Sequence, residues 1–443
     1  MDKGASENIT REGGYVGPER PSDEELGRCT RCGLCEQACP TYRELRIEPD
    51  SPRGRVFLMK QVADGAASVD AHMAEHLYIC LGCRACETAC PSGVPYGRLL
   101  EYARYQIEQR GEIVPERRGW RRFRHWAFER VLPNERLFKA LMAPARLVQR
   151  APGLAALAAA VLPARLRKLA NMIPRDGSAV HGRLPEVIPA EGERRARVGL
   201  FVGCVMGALF GHVHEALARV LRHNGCEVVV VRGQWCCGAL NVHAGERDQA
   251  KQMARRNIDA FEKANCDAII LDSAGCGAAM KEYHELLRFD REYAHRAKDF
   301  SAKVKDAAEF LMALGVREDF GEVRKRVTYQ DACHLAHGQG VRAQPRALLA
   351  KIPGLDYVEL EYADRCCGAA GVYNLTQPAL SASILNEKVD AIAATRADYL
   401  ITGNPGCHMQ IQAGLIERGL GTRVKHIVEV LDEAYGAAPL QTM

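Results

Sequence analysis

From residue 197 onward, short apolar runs alternate with stretches of helical spacing. Residues 198–202 and 268–271 are runs of the kind that fill strands buried on both faces. Residues 214–224 place Ala216, Leu217, Val220 and Leu221 along one helical face, Gly225 ends the helix, and a strand over 227–231 follows. Further on, a helix over 380–394 leads into a strand over 399–402. This alternation predicts α/β architecture with a parallel sheet. In such sheets ligands gather beyond the carboxyl ends of the strands.

The same half contains an internal repeat. RVGLFVGC, ending at Cys204, matches RVTYQDAC, ending at Cys333; RGQWCCG, around Cys236 and Cys237, matches YADRCCG, around Cys366 and Cys367. CDAIILDSAGC, ending at Cys276, matches ADYLITGNPGC, ending at Cys407. The three cysteine offsets are 129, 130 and 131 residues, so the pattern reads as a duplicated domain, with copies at 194–322 and 323–443. Each copy carries four cysteines that a parallel sheet would bring to one edge. Cys226 and Cys266 have no cysteine counterpart in the other copy and adjoin apolar strands, which suits buried structural thiols.

Composition narrows the class. The chain has 443 residues, 47% hydrophobic and 26% charged, with a net charge of +5, which excludes a mainly disordered polymer. Its 18 cysteines are grouped at metal-ligand spacing rather than spread as in small disulfide scaffolds. No apolar run suits a secretory signal or a spanning helix, so a cytoplasmic location is expected, with peripheral attachment to the inner face of the cell membrane as an option. Residues 1–25 read as a mobile tail and 111–193 as a basic helical linker. Residues 110–175 carry 15 Lys or Arg against four Glu, and Trp120, Phe123, Trp126 and Phe128 are interleaved with the arginines. With no nucleic-acid-binding fold beside it, that segment suits a partner subunit or an anionic membrane surface better than nucleic acid. A solvated pair of amphipathic helices is the plainer alternative.

The strongest chemical signal is Cys29-x2-Cys32-x2-Cys35-x3-Cys39-Pro40, repeated as Cys80-x2-Cys83-x2-Cys86-x3-Cys90-Pro91. This is the bacterial ferredoxin spacing for two [4Fe–4S] clusters, in which the fourth cysteine of each motif ligates the other cluster. Cys29, Cys32, Cys35 and Cys90 are therefore expected at cluster 1, and Cys80, Cys83, Cys86 and Cys39 at cluster 2. Structural zinc also takes four thiolates, but it needs neither the third cysteine two residues on nor the paired motif. The insert between the motifs, including residues 55–63, is helix-prone, so residues 26–110 are expected to form an α-helical ferredoxin. Arg53 and Arg55 in the Ser51-Pro52-Arg53-Gly54-Arg55 segment are candidates for offsetting cluster charge, or are simply a solvated helix start.

In the duplicated half, Cys204, Cys236, Cys237 and Cys276 form candidate site 1, and Cys333, Cys366, Cys367 and Cys407 candidate site 2. Adjacent cysteines suit neighbouring irons of a cluster, and Gly238 and Gly368 permit close backbone approach. Additional clusters, zinc, a redox disulfide or free thiols are the open alternatives. His334 and His408, beside Cys333 and Cys407, are structural residues or alternative ligands. No phosphate loop occurs, and Gly338-Gln339-Gly340 lacks the third glycine of a dinucleotide fingerprint, so no FAD or NAD site is expected on this chain.

These repeats resemble the cysteine-rich CCG family, found duplicated in heterodisulfide reductase subunits and in iron–sulfur subunits of 2-hydroxy-acid dehydrogenases. That family's fullest pattern ends in Cys-x2-Cys; here Ser273 and Asn404 stand at the first of those positions, which argues against its non-cubane cluster and disulfide-reducing chemistry. Two ferredoxin motifs, the Ser-Pro-Arg-Gly-Arg segment, a basic linker and two CCG copies together resemble the iron–sulfur subunit of bacterial glycolate oxidase (glycolate dehydrogenase) over about residues 25–434. The resemblance implies a multidomain α plus α/β chain and an electron conduit with no catalytic residue of its own. It also implies FAD-containing partner subunits that oxidise glycolate to glyoxylate, with electrons passing toward a quinone-linked respiratory acceptor. The alternatives are the corresponding subunit for lactate or glycerol 3-phosphate oxidation, or a heterodisulfide-reductase-like thiol enzyme.

Overall fold

The computed structural model describes residues 14–111, 118–150, 163–174 and 184–436. Its contacts divide the chain into two compact units: Met1–Phe123 with Leu240–Arg247, and Arg124–Ala239 with Asp248–Met443. Among the described residues, no helix is long and apolar enough to cross a membrane.

The first unit is helical. Its main helices are Pro52–Ala63, Ala71–Ile79 and Tyr96–Glu108, with shorter ones at Asp23–Gly27, Pro40–Leu45 and Ala85–Thr88. Local sequence starts the first two of the long helices in a recognisable way. Ser51 Oγ accepts from Gly54 N at 2.9 Å with Pro52 in the first turn, and Asp70 Oδ1 accepts from Met73 N at 2.8 Å. Gly54 is required by space, because a Cβ there would collide with the Glu48 carbonyl oxygen. Met59, Leu77, Leu99, Leu100 and Ile107 are buried in one core, each contributing on the order of 1.5–3 kcal/mol of burial.

The expected tail over 1–25 is corrected in part. Residues 1–13 lie outside the described residues, but Tyr15 is buried in the core and its hydroxyl donates to Met59 O at 3.2 Å. Gln106 Oε1 accepts from Val16 N at 2.9 Å, and its Nε2 donates to Val16 O and Glu19 O at 2.8 Å each. A buried glutamine that satisfies three backbone groups holds this segment, and Gly-, Glu- and Ser-rich composition does not reveal such an anchor.

The second unit contains two sheets. The first has five strands, β1 (Val187–Ile188), β2 (Ala196–Leu200), β3 (Cys226–Val230), β4 (Ala268–Leu271) and β5 (Val304–Asp306), in the order β1-β3-β2-β4-β5. All pairs are parallel except β1 with β3, an antiparallel edge strand drawn from the expected linker. The second sheet, β6 (Lys325–Tyr329), β7 (Leu355–Tyr357), β8 (Tyr399–Thr402) and β9 (Arg423–His426), is wholly parallel in the order β7-β6-β8-β9. The duplication extends to side chains. Asp267 Oδ2 accepts from Arg197 N at 2.8 Å, and Asp398 Oδ2 accepts from Arg326 N at 2.9 Å.

The two copies share one unit. Arg219 on helix Gly211–His223 grips Asp432 on helix Ile427–Tyr435 through Nε at 2.8 Å and Nη2 at 2.6 Å. The described part of the basic segment is helical, with helices at Arg118–Trp126, Glu135–Leu141, Ala143–Arg150 and Ala164–Asn171. Most of it belongs to this unit: Gln149 Nε2 donates to Leu209 O at 2.9 Å, and Phe138 stacks edge-on with Trp235 at 5.9 Å. The Ala-rich stretch 154–162 falls largely outside the described residues.

Gly54→Ala is expected to cost ~1–3 kcal/mol by overpacking, more than the ~1 kcal/mol of a lost cap in Ser51→Ala. Urea unfolding followed by circular dichroism measures both. A Gly54→Ala variant as stable as the parent would show that the Glu48 turn yields freely.

Candidate metal centres

Cys39, Cys80, Cys83 and Cys86 line a single cavity in the first unit, together with Arg55 and Tyr96. The first of these cysteines closes one motif and the other three open the next, so the chain has brought residues about 40 positions apart to one place. Matching left-handed turns shape the two loops: Arg31 (φ 59°) and Gly33 (φ 84°) in the first motif, Gly82 (φ 65°) and Arg84 (φ 63°) in the second. A non-glycine residue in that region costs about 1–2 kcal/mol, so Arg31 and Arg84 are held there by the surrounding structure.

The cavity is polar where it meets sulfur. Thr41 Oγ1 lies 3.2 Å from Cys39 Sγ, while Gly82 N and Tyr96 OH donate to Cys80 Sγ at 3.4 and 3.5 Å. Arg55 is fully buried, 0% exposed, with Nη1 3.9 Å from Cys39 Sγ, Nη2 donating to Thr41 Oγ1 at 3.0 Å and Nε donating to His76 O at 2.7 Å. Asp50 Oδ1 lies 3.4 Å from Arg55 Nη2 and 2.9 Å from His76 Nδ1. A second buried cation, Arg104, donates through Nη2 to Leu77 O at 2.7 Å and Cys80 O at 2.6 Å, and through Nη1 to His243 O at 2.7 Å.

These charges decide the thiol states. Burial, then the neighbouring Cys83, Cys80 and Cys39, pushes the Cys86 thiol well up. Burial also works to raise Cys80, but Arg55, Arg104 and the Tyr96 hydrogen bond outweigh it and leave Cys80 below the usual thiol range. At an effective dielectric near 20, a unit charge about 4 Å away is worth roughly 4 kcal/mol, enough to reverse a burial penalty. Four thiolates this close repel one another unless a cationic core lies between them, and an iron–sulfur cluster supplies one. Among the described residues, no three His, Cys, Asp or Glu side chains converge on one metal ion; the ligands of a cube bind separate irons.

The other four ferredoxin-motif cysteines are less enclosed. Cys29, Cys35 and Cys90 are partly buried against the same core, and Cys32 is exposed. Burial, moderated by Arg53 and added to by the charges of Cys29 and Cys39, pushes Cys35 up to about 11. Arg53 differs from Arg55 in being engaged at the surface by Glu36 at 2.6 Å and Glu48 at 2.8 Å, pairs of a kind usually worth at most about 1 kcal/mol. The two arginines of the Ser-Pro-Arg-Gly-Arg segment thus have different roles.

In the second unit every candidate cysteine at the strand ends falls where the alternation placed it: Cys204 after β2, Cys276 after β4, Cys333 after β6 and Cys407 after β8. In the first copy Cys204 Sγ donates to Cys236 Sγ at 3.5 Å, and Cys237 is hydrogen-bonded to both Cys236 and Cys276. In the second copy Cys367 is hydrogen-bonded to Cys366 and Cys407, while Cys333 Sγ lies 3.6 Å from His334 Nδ1. Hydrogen bonds from neighbouring cysteines hold Cys236 and Cys367 well below the usual thiol range, and the same kind of bond pushes Cys204, Cys237 and Cys407 well above it. Gly368 adopts φ 82°, and a Cβ there would stand 2.7 Å from Ser381 O.

The copies have diverged around this common core. Asn404, at the place of a fifth family cysteine, accepts from Gly275 N at 3.1 Å and donates to Cys407 Sγ at 3.5 Å. Lys388 is buried and donates to Tyr362 O at 2.6 Å; burial lowers its pKa while Cys367, Cys366 and Cys407 work to raise it. In the first copy, Asn257 and Tyr283 bind the Cys236 and Cys237 carbonyls at 3.0 and 2.8 Å. Sequence reasoning missed Arg104, Lys388, Asn257, Tyr283 and Tyr96. A signal existed for the two cations: each interrupts an apolar helical face, Arg104 beside Leu100 and Ile107, and Lys388 between Ile384, Leu385 and Ile392.

Comparisons with known proteins agree with this geometry. A model of the 4Fe-4S dicluster domain matches residues 25–94, and the CCG cysteine-rich domain matches residues 198–281 and 327–412. The probable glycolate oxidase iron–sulfur subunit of Bacillus subtilis is 40% identical over 94% of this chain and 96% of its own length. The glycolate oxidase iron–sulfur subunit of Escherichia coli is 33% identical over 93% of this chain and 95% of its own. Lactate utilization protein A of Oceanobacillus iheyensis is 32% identical over 53% of this chain and 96% of its own. With a dicluster ferredoxin unit joined to two CCG copies, and likeness along nearly its whole length, the chain belongs to the family of glycolate oxidase iron–sulfur subunits.

Proposed function

We propose that this chain carries electrons within a 2-hydroxy-acid dehydrogenase complex and does not itself bind the hydroxy acid. Cluster 1 is held by Cys29, Cys32, Cys35 and Cys90, and cluster 2 by Cys80, Cys83, Cys86 and Cys39. The observation that most supports this reading is the cavity that draws Cys39 away from its own motif to join Cys80, Cys83 and Cys86. FAD-containing partner subunits oxidise the substrate, glycolate by the nature of the two full-length relatives, and deliver electrons singly to the clusters. A quinone-linked acceptor at the inner face of the cell membrane receives them, with the basic aromatic helices as the docking surface. The CCG sites, Cys204, Cys236, Cys237 and Cys276 in one copy and Cys333, Cys366, Cys367 and Cys407 in the other, hold further clusters on the same path.

A disulfide-reducing reading draws on the 29% identity to a subunit of the fumarate reductase (CoM/CoB) of Methanothermobacter marburgensis, over 95% of this chain and 75% of that protein. Ser273 and Asn404 weigh against it, since each copy lacks the fifth thiol. Zinc at the CCG sites would remove them from the path.

Cys39→Ala is expected to abolish the electron paramagnetic resonance signal of cluster 2 and leave that of cluster 1. Loss confined to cluster 1 would refute the cross-ligation. The anaerobically purified chain is expected to hold more than about eight irons, four per cubane, and Cys236→Ser and Cys366→Ser should each lower that figure without changing the ferredoxin signals. About eight irons, with neither variant altering the spectrum, would reduce the CCG copies to a scaffold. Without partner subunits the chain should reduce no dye at the expense of glycolate, and adding them should restore turnover. Bound FAD and turnover in the isolated chain would overturn the conduit reading.

A further inference from the structure

The two ferredoxin sites sit in different electrostatic surroundings. Around Cys39, Cys80, Cys83 and Cys86 the structure places two buried guanidinium groups, Arg55 and Arg104. Asp50 is the carboxylate beside Arg55, and its Oδ1 is shared with His76 at 2.9 Å. Glu87, in the same loop, is matched by Arg84 at 3.0 Å. One positive charge therefore remains in excess close to the sulfurs, inside the protein, where solvent screening is weak. Tyr96 OH and Gly82 N add two hydrogen bonds to Cys80 Sγ. Around Cys29, Cys32, Cys35 and Cys90, the cation acting on Cys35 is Arg53, which Glu36 and Glu48 already neutralise.

A cluster with four thiolate ligands is anionic and gains one more negative charge on reduction. Burial alone disfavours that gain. A buried cation favours it, as do donors to sulfur, because both interact more strongly with the reduced form. We infer that Arg55 and Arg104 make the Cys39, Cys80, Cys83 and Cys86 cluster the higher-potential member of the pair, so that it collects the electron. This inference rests on both ferredoxin clusters being present as proposed above. In the exchange, one electron leaves cluster 1, which is oxidised, and arrives on cluster 2, which is reduced; no bond forms or breaks and no proton moves. Exposed Cys32 marks cluster 1 as the place where electrons arrive from outside, and the enclosed cluster is where they rest.

The test is a potentiometric titration of the intact, cluster-loaded chain, followed by electron paramagnetic resonance. Cys32→Ser removes a ligand of cluster 1 alone and so assigns the two signals. Cluster 2 is expected to become reduced first. Arg55→Gln should weaken its reduction equilibrium at least tenfold, about 59 mV for one electron, while cluster 1 stays where it was; Arg55→Lys should restore part of the shift. Tyr96→Phe, which removes one hydrogen bond and leaves the helix intact, should move cluster 2 in the same direction by less, and it carries the test if Arg55→Gln does not fold. Reduction of cluster 1 before cluster 2 would overturn the inference. So would an unchanged cluster 2 potential in the Arg55→Gln and Tyr96→Phe variants that fold. A chain without ferredoxin iron would instead refute the cluster reading beneath it, and the iron analysis distinguishes these failures.

Discussion

Gathering thiolates inside a protein is the constraint on which the rest of this structure depends. Each added thiolate raises the cost of the next, because like charges in a weakly screened volume repel strongly. The first unit answers with cations that enter from neighbouring helices, Arg55 from Pro52–Ala63 and Arg104 from Tyr96–Glu108. Those cations need partners of their own, and the core is arranged to supply them: Asp50, His76 O, Leu77 O and Thr41 all face inward for this reason. The buried polar network and the cysteine cavity are therefore one construction.

The duplicated half meets the same constraint differently in its two copies. Both place four cysteines beyond the carboxyl ends of parallel strands, and both need a glycine after the cysteine pair. Around that shared plan the polar partners have been exchanged. One copy caps its cysteine loop with the neutral side chains of Asn257 and Tyr283, the other buries the Lys388 ammonium beside Cys367. Asn404 stands where the family's fullest pattern has a thiol, and it ties its own copy's Cys407 to the backbone of the other copy. Duplication has kept the geometry and relaxed the chemistry.

Much of this was legible in the sequence wherever the physics is local. The strands expected over 268–271 and 399–402 are β4 and β8 to the residue, because a strand buried on both faces has no polar positions to blur its ends. The helix expected over 214–224 occupies Gly211–His223, and that expected over 380–394 occupies Pro378–Thr395. Ferredoxin spacing singled out the four cysteines that share a cavity. What stayed hidden depends on partners distant in the chain. Tyr15 is ordered by Met59 and its neighbour Val16 by Gln106, and β1 exists only because β3 offers an edge. No local pattern announces that Arg55 is buried while Arg53, two residues earlier, is not.

The segment Leu240–Arg247 packs with the first unit although it follows the Cys236-Cys237-Gly238 turn of the second. Its His243 carbonyl accepts from Arg104, and Arg247 pairs with Glu19 at 3.2 Å. During synthesis the eight ferredoxin cysteines emerge by residue 90, yet the chain must be extended to residue 247 before that unit acquires its last pieces. Nascent chains fold from the N-terminus as they lengthen, so the ferredoxin unit waits, incomplete, while roughly 150 further residues leave the ribosome, a matter of tens of seconds at the slower elongation rates. Iron and sulfide thus have an interval in which to enter before the final strap is laid down, and a chain cut within the basic linker would never close it.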